Sequence, residues 1–235
     1  MNAAHEQPNP GRYRLCLLIV VLLFIAINAR WLWVYRHGLT LDIDEAGYVC
    51  FAVIDYYGLL YGGLHGWIAA IEMPSIQAPL TTALASLVFA LVGPHVSACF
   101  VVPLAVGAGC IIAAYLLGQA VGAPRVGLVA SMLTASCPSI IKFTDSFHFA
   151  MPATLVTTMA LVAILRSRRF HDIGWSLVFG LCLGLMPLAR TMTIAFMPGV
   201  VLAALAAVAV DPTQRGRRLS MLAGSLVLAL IVSAT

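Results

Sequence analysis

The stretch LTLDIDEAGY (residues 39–48) carries three carboxylates within four positions, Asp42, Asp44 and Glu45. Only 9% of the 235 residues are charged, so three adjacent acids stand out. Acidic loops are often solvated turns that cap a helix, and the pattern predicts Asp44 as the N-cap of a helix that starts near Glu45. The second interpretation is a carboxylate site that acts as a base or binds a metal. The two are compatible, because a capping residue is also rigidly placed.

The composition around this stretch is that of a membrane protein. Hydrophobic residues make up 62% of the chain and the mean hydropathy is +1.00, whereas about half of a soluble domain is apolar. The net charge of +4 comes from arginines in short loops between apolar segments, a pattern that orients a membrane protein and does not indicate nucleic-acid binding. The six cysteines form no CxxC pair, which argues against a zinc or redox site. We therefore expect an all-α polytopic membrane protein.

About seven apolar segments are predicted to cross the membrane. They are residues 15–33, 95–119, 126–141, 149–165, 173–188, 191–210 and a last segment that starts at residue 219. Residues 1–13 form a predicted cytoplasmic tail, residues 14–235 the transmembrane module, and residues 37–94 an external first loop. Within this loop we expect an interfacial helix over 45–60, flexible breaks at 61–66 (YGGLHG) and around Pro74, and a helix over 79–92. The last helix is shorter than the ~20 residues that a crossing needs, so it is predicted to enter the membrane only halfway.

The arginine positions set the predicted orientation. With seven crossings and a cytoplasmic N-terminus, nine of the 13 basic residues face the cytoplasm: residues 12, 14, 125, 166, 168, 169, 215, 217 and 218. Six of the nine acids then lie outside: residues 42, 44, 45, 55, 72 and 145. Treating residues 79–92 as a full crossing would move the later arginine clusters outside. The positive-inside rule therefore favours the half-membrane helix.

The layout of the first loop resembles that of the GT-C glycosyltransferases. The resemblance rests on one helix, a long external loop that opens with Asp-Glu-x-x-Tyr (Asp44, Glu45, Tyr48), an interfacial helix, and a half-helix led by Pro79. It is similar in particular to bacterial relatives of protein O-mannosyltransferases and of the lipid A aminoarabinose transferase. The stretch GLCLGLMPLARTMTIAFMP (residues 180–198) is similar to their fifth and sixth helices, with Arg190 where these proteins often carry a basic residue.

This resemblance implies an enzyme of the plasma (inner) membrane. It would move a sugar from a polyprenyl-phosphate carrier to an acceptor at the outer face, with Asp44 and Glu45 as catalytic carboxylates and Tyr48 among the substrate-binding residues. A base is needed there to take the proton of the acceptor as the phosphate departs. Like-charge repulsion from the adjacent acids would make Asp44 a stronger base. Alternatively, Asp42 and Asp44 would hold a divalent cation, and the sequence leaves both open.

Arg190 has two interpretations. It binds the phosphate of the carrier as a forked donor, or it extends along the helix end to reach water. The first is favoured because an arginine at helix depth carries an insertion cost of about 2.5–3.5 kcal/mol, which a bound anion would offset.

The chain departs from the family pattern at two prolines. Gln77 and Ala78 stand before Pro79 where a basic residue is frequent, and no acid directly precedes Pro152. Three residues, Lys142, Asp145 and His148, are predicted to bind substrate from shifted positions. The alternative is that they are ordinary polar groups at the membrane interface.

The alternative to an enzyme is a non-catalytic membrane subunit or a transporter-like bundle. Family members usually carry further helices, so we expect a fragment or half of a split enzyme, for which a second membrane subunit would be the partner. A transporter is disfavoured because no repeat relates the two halves of the chain. The donor sugar and the acceptor are not indicated by the sequence.

Overall fold

The computed structural model describes residues 10–36, 38–73, 79–210 and 215–234, and all regular structure in these ranges is helical. Helices dominate because a backbone in lipid must satisfy its own hydrogen bonds. The helices are α1 Pro10–Trp31, α2 Ile43–Ile71, α3 Pro79–Val92, α4 Val96–Cys99, α5 Val101–Val121, α6 Pro124–Ala135, α7 Pro138–Thr144, α8 Ala150–Arg166, α9 Ile173–Ala189, α10 Met197–Ala209 and α11 Arg215–Ser233. A π-helical turn, Leu32–Arg36, extends α1, and a 3-10 turn, Thr191–Ala195, precedes α10.

The described helices include four that are long and apolar enough to cross a membrane. They are Gly11–Arg36, Val96–Val121, Thr191–Ala209 and Arg215–Ser233. The predicted third crossing is bent by 60° between α6 and α7, where Pro138 starts a new helix, and it counts as a fifth if the pair is one span. The apolar helices α3, α8 and α9 are shorter. The membrane fold is thus confirmed with four or five spans, and the count of seven stays a prediction.

The segment predicted as an external loop is more helical than expected. The expected helix over 45–60 extends to Ile71, and the expected break at 61–66 is a sharp bend at Gly63, whose φ of 59° and ψ of −150° suit only glycine. The two halves of α2 meet at Gly58 and Gly66, where a Cβ on Gly66 would lie 2.5 Å from the Gly58 carbonyl oxygen. α2 is therefore a helical hairpin, and it packs on α3. The predicted break around Pro74 and most of the predicted tail lie outside the described residues, and residues 10–13 of that tail already belong to α1.

Two groups of helices form the core. Helices α8 to α11 pack together, and small residues let α9 and α11 approach closely: a Cβ on Gly184 would lie 2.6 Å from the Ala229 carbonyl oxygen. The second group joins α2, α3 and α5 around Phe89 and Phe147, which are fully buried. Phe147 precedes α8, so this core brings the start of α8 against the start of α2.

The charged residues gather at two ends of the bundle. We call the start of α2, the segment 145–149 and Arg190 the acidic end, and the arginines 125, 166, 168, 169, 215, 217 and 218 the basic end. At the basic end, the Arg125 Nε donates to the Tyr13 hydroxyl at 2.8 Å and the Arg218 Nε donates to the His171 Nε2 at 2.9 Å. The first bond joins the starts of α1 and α6, and the second joins the start of α11 to the segment just before α9. The two helices of each pair therefore run in the same direction.

Candidate functional site

A capping box builds the first turn of α2. The Glu45 N–H donates to the Asp42 Oδ1 at 2.7 Å, and the Asp42 N–H donates back to the Glu45 Oε2 at 3.2 Å. Asp42 is thus the N-cap, and the predicted cap at Asp44 is wrong, because only Asp42 has a glutamate three residues later to close the box. Asp44 is left on the outer side of the turn, with 73% of its side chain exposed.

Glu45 is a buried connector between three parts of the chain. Only 2% of it is exposed, and its carboxylate pairs with the Arg36 guanidinium. Its Oε1 also accepts the Phe147 N–H at 3.1 Å, across 102 positions of sequence. Such pairing and hydrogen bonding are what allow a buried charge to persist. Glu45, predicted as catalytic, is therefore placed as an anchor and is removed from solvent.

The anchor brings His148 against Asp44. The His148 Nε2 lies 3.9 Å from the Asp44 Oδ2, and the imidazole packs on the Phe149 ring with the centroids 4.2 Å apart. The His148 Nδ1 is buried and makes no hydrogen bond within the described residues. One predicted catalytic residue and one predicted substrate-binding residue thus lie side by side.

Arg190 reaches the same place from the end of α9. Its guanidinium carbon lies 4.5 Å from the centre of the Phe149 ring, in cation–π geometry. The Phe149 ring in turn lies 5.6 Å from the Tyr48 ring. We call Asp44, Tyr48, His148, Phe149 and Arg190 the Tyr48 cluster.

The Tyr48 hydroxyl is a protonated donor within this cluster. Burial and, to a smaller extent, the negative charge of Asp44 raise the pKa of Tyr48 to about 12, with the positive charge of Arg190 opposing them. Tyr48 therefore lies within the electrostatic reach of both the acid and the guanidinium, and it keeps its proton near neutral pH.

Lys142 and Asp145 lie beside the cluster at the end of α7. Lys142 is exposed, with its Nζ 6.0 Å from the centre of the Phe143 ring. Asp145 is half-buried, and burial raises the pKa of its carboxyl to about 6. In the described part of the chain, neither side chain is joined to Asp44 by a hydrogen bond or an ion pair. They are neighbours of the cluster and not members of it.

A groove leads away from Arg190 along α8. Its volume is about 340 Å³, and it is lined by Ala150, Ala153, Thr154, Thr157, Thr158, Arg190, Met192, Thr193 and Phe196. The threonine hydroxyls on α8 donate to carbonyls of their own helix, for example Thr158 to the Thr154 oxygen at 2.8 Å. The groove is therefore charged at the Arg190 end and largely apolar elsewhere. The sequence predicted neither this groove nor the ion pair of Arg36 with Glu45.

The metal prediction finds little support in the geometry. Among the residues that the structure describes, no three His, Cys, Asp or Glu side chains come together as metal ligands. The Asp42 Oδ1 is already used by the Glu45 N–H. A divalent cation between Asp42 and Asp44 stays a prediction.

Comparison with known proteins links the chain to one family. The model described as dolichyl-phosphate-mannose-protein mannosyltransferase matches residues 76–235, more than half of the chain. This range includes His148 and Arg190, whereas Asp44 precedes it. No curated protein and no solved structure matches the chain.

Proposed function

The chain belongs to the dolichyl-phosphate-mannose-protein mannosyltransferase family of GT-C membrane glycosyltransferases, and we propose that it transfers a sugar from a polyprenyl-phosphate carrier to an acceptor at the outer membrane face. The observation that carries this proposal is the Tyr48 cluster. It places an exposed carboxylate, Asp44, and a guanidinium that suits phosphate, Arg190, around one tyrosine.

Asp44 is the proposed base. As an acceptor hydroxyl oxygen bonds to the anomeric carbon, its proton passes to the Asp44 carboxylate, and the bond from that carbon to the phosphate oxygen breaks. The departing phosphate keeps the electron pair of that bond. We propose that His148, whose Nε2 lies 3.9 Å from the Asp44 Oδ2, orients the carboxylate.

Arg190 and Tyr48 are the proposed phosphate ligands. A guanidinium donates two parallel hydrogen bonds to phosphate oxygens, and the Tyr48 hydroxyl still carries a proton to donate. The groove that begins at Arg190 suits the apolar chain of a carrier, since only its one end is charged. Lys142 and Asp145 flank the cluster, and we propose that they contact the acceptor or the sugar.

Glu45 and Arg36 are proposed positioning residues. Their ion pair and the bond from the Phe147 N–H hold the first turn of α2 against the segment that carries His148. They act on the reaction by keeping Asp44 and His148 together.

The proposed topology has seven crossings, a cytoplasmic N-terminus and the acidic end outside. Helices α8 and α9 have 17 residues each, at the lower limit for a crossing, whereas the 14 residues of α3 fall short of it. In a chain without native cysteines, an impermeant thiol reagent should label Thr40→Cys from outside and not Gly216→Cys. Both sites are exposed, so external labelling of Gly216→Cys would contradict this topology.

The function is tested by sugar transfer with the purified chain in lipid nanodiscs, using labelled polyprenyl-phosphate sugars and hydroxyl acceptors. Asp44→Asn should lower the rate by about 10²–10⁴-fold, because it removes the base and keeps the shape. Asp42→Asn is the matched control: it keeps the capping oxygen and should change the rate little. Normal transfer by Asp44→Asn would refute the role of Asp44. Transfer that needs a second subunit would favour the accessory-subunit alternative.

A further inference from the structure

The turn between α8 and α9 has an unusual backbone. Arg168, Arg169 and Phe170 have φ values of 50°, 62° and 65°, and no other non-glycine residue in the described ranges has a positive φ. Left-handed backbone is unfavourable for residues with a Cβ, and glycine would adopt it freely. Arg168 and Arg169 adopt this left-handed backbone although glycine would adopt it at lower cost. This indicates that the two arginine side chains have a role besides forming the turn.

The surrounding structure holds this turn in place. The Phe170 side chain is fully buried and packs edge-on against Phe179, with the ring centroids 5.3 Å apart. The buried Ser167 hydroxyl accepts the Phe170 N–H at 3.1 Å, and the Ser167 carbonyl accepts the His171 N–H at 2.9 Å. The turn thus presents Arg168 and Arg169 outward, where both are exposed.

A second pair of exposed arginines is fixed beside the turn. The buried Arg218 donates to the His171 Nε2 at 2.9 Å and so ties the first turn of α11 to residue 171. Arg215 and Arg217 lie in that same first turn of α11 and are exposed. The carboxylate of Asp172, next to the turn, already accepts the Trp175 N–H at 3.0 Å as a helix cap.

Apolar side chains border these arginines. Leu165 precedes the turn and is 47% exposed, and Ile173 follows it and is 61% exposed. Leu219, after the α11 arginines, is also exposed. In a bilayer, acyl chains reach this apolar border, so the headgroup of the same lipid would meet the arginines beside it.

We propose that Arg168, Arg169, Arg215 and Arg217 form a binding site for the phosphate headgroup of an anionic phospholipid, whose acyl chains lie along Leu165 and Ile173. Guanidinium groups bind phosphate oxygens through paired hydrogen bonds, and basic clusters at a bilayer surface recognise anionic lipid. The 17 residues of α9, about 26 Å of helix, separate this site from Arg190. It is therefore independent of the carrier site and of the proposed function.

The test measures binding of phosphatidylglycerol to the purified chain, as a rise in melting temperature during titration into phosphatidylcholine nanodiscs. Each guanidinium that is hydrogen-bonded to the headgroup contributes about 1 kcal/mol, so Arg168→Gln/Arg169→Gln should weaken the affinity about thirtyfold. Arg12→Gln/Arg14→Gln is the matched control, since it removes two exposed arginines from α1 and should leave the affinity within about threefold. Equal losses in both double variants would reduce the effect to bulk charge and overturn the proposal.

Two further arms separate the remaining explanations. Arg168→Gly/Arg169→Gly should melt higher than wild type in phosphatidylcholine, by about 2–4 °C, because glycine relieves the left-handed backbone. The same variant should lose the stabilisation by phosphatidylglycerol, which an effect of misfolding cannot explain. Stabilisation by inorganic phosphate equal to that by phosphatidylglycerol, or none by either, would overturn the lipid site.

Discussion

The two ends of the bundle hold their charges in different ways. At the acidic end, Arg36 and Glu45 form an ion pair with Glu45 only 2% exposed, and the same carboxylate accepts the Phe147 N–H from 102 positions away in the chain. At the basic end, the bond of Arg125 to Tyr13 is exposed. A buried pair fixes geometry because its separation leaves a charge without solvent, whereas an exposed bond exchanges readily with water. The Arg36–Glu45 pair is thus a contact that fixes geometry at the acidic end, whereas the Arg125–Tyr13 bond does not do so at the basic end.

The same contrast holds between two adjacent residues. Asp44 and Glu45 follow one another on α2, yet 73% of the Asp44 side chain is exposed. The helix turns by about 100° per residue, so neighbours in the chain face different surroundings. One carboxylate faces solvent, whereas the other is buried and holds the turn.

The largest effect is expected from breaking the buried pair. Arg36→Gln should lower the free energy of unfolding by about 3–5 kcal/mol, because it leaves the buried Glu45 carboxylate without a counter-charge. Thermal melts in nanodiscs would measure this, with Arg125→Gln as the counterpart at the basic end and no detectable shift expected there. The double variant Arg36→Gln/Glu45→Gln should recover most of the loss. Equal shifts for Arg36→Gln and Arg125→Gln would remove the distinction between the two ends.

A smaller effect is expected at Arg190, which lies at the acidic end but is not in the buried pair. Arg190→Gln should weaken carrier binding by about 10–150-fold, the range of a hydrogen bond to a charged group. Arg190→Lys should restore only part of the affinity, because lysine lacks the forked donor geometry. Binding of a polyprenyl phosphate is measured by its effect on the melting temperature, with Arg166→Gln as the control from the basic end. Unchanged carrier binding in Arg190→Gln would place the phosphate elsewhere.

The smallest expected effect is a pH dependence due to Asp145. Burial raises the pKa of its carboxyl from 3.8 to about 6, so the folded protein binds a proton there that the unfolded chain has already lost. Stability should therefore fall as the pH rises from about 3.8 to about 6 and then level off. Asp145→Asn should flatten this part of the profile, whereas Asp172→Asn at the basic end should leave it unchanged. If stability depends on pH in the same way in the native chain and in Asp145→Asn, burial does not raise the pKa of the Asp145 carboxyl.

Sequence patterns located most helices, because their causes are local. The start of α3 at Pro79 and its end at Val92, and the start of α9 at Ile173, match the predicted limits, since proline, glycine and charged residues bound the apolar runs. The bend at Gly63 was also visible, because paired glycines mark a break. The spacing of Asp42 and Glu45 was a local signal too, and a capping box was the better interpretation of it.

The sequence by itself determined an all-helical membrane protein of the mannosyltransferase family, with most of its acids apart from its arginine clusters. Only the tertiary structure decided that Glu45 is buried on Arg36, that His148 meets Asp44, and that arginines occupy a left-handed turn. The physical reason is the distance along the chain over which each effect acts. Hydropathy and turn propensity act over a few residues, whereas these contacts arise when α1, α2 and α8 pack together, and no local pattern records which side chains then come within reach of one another.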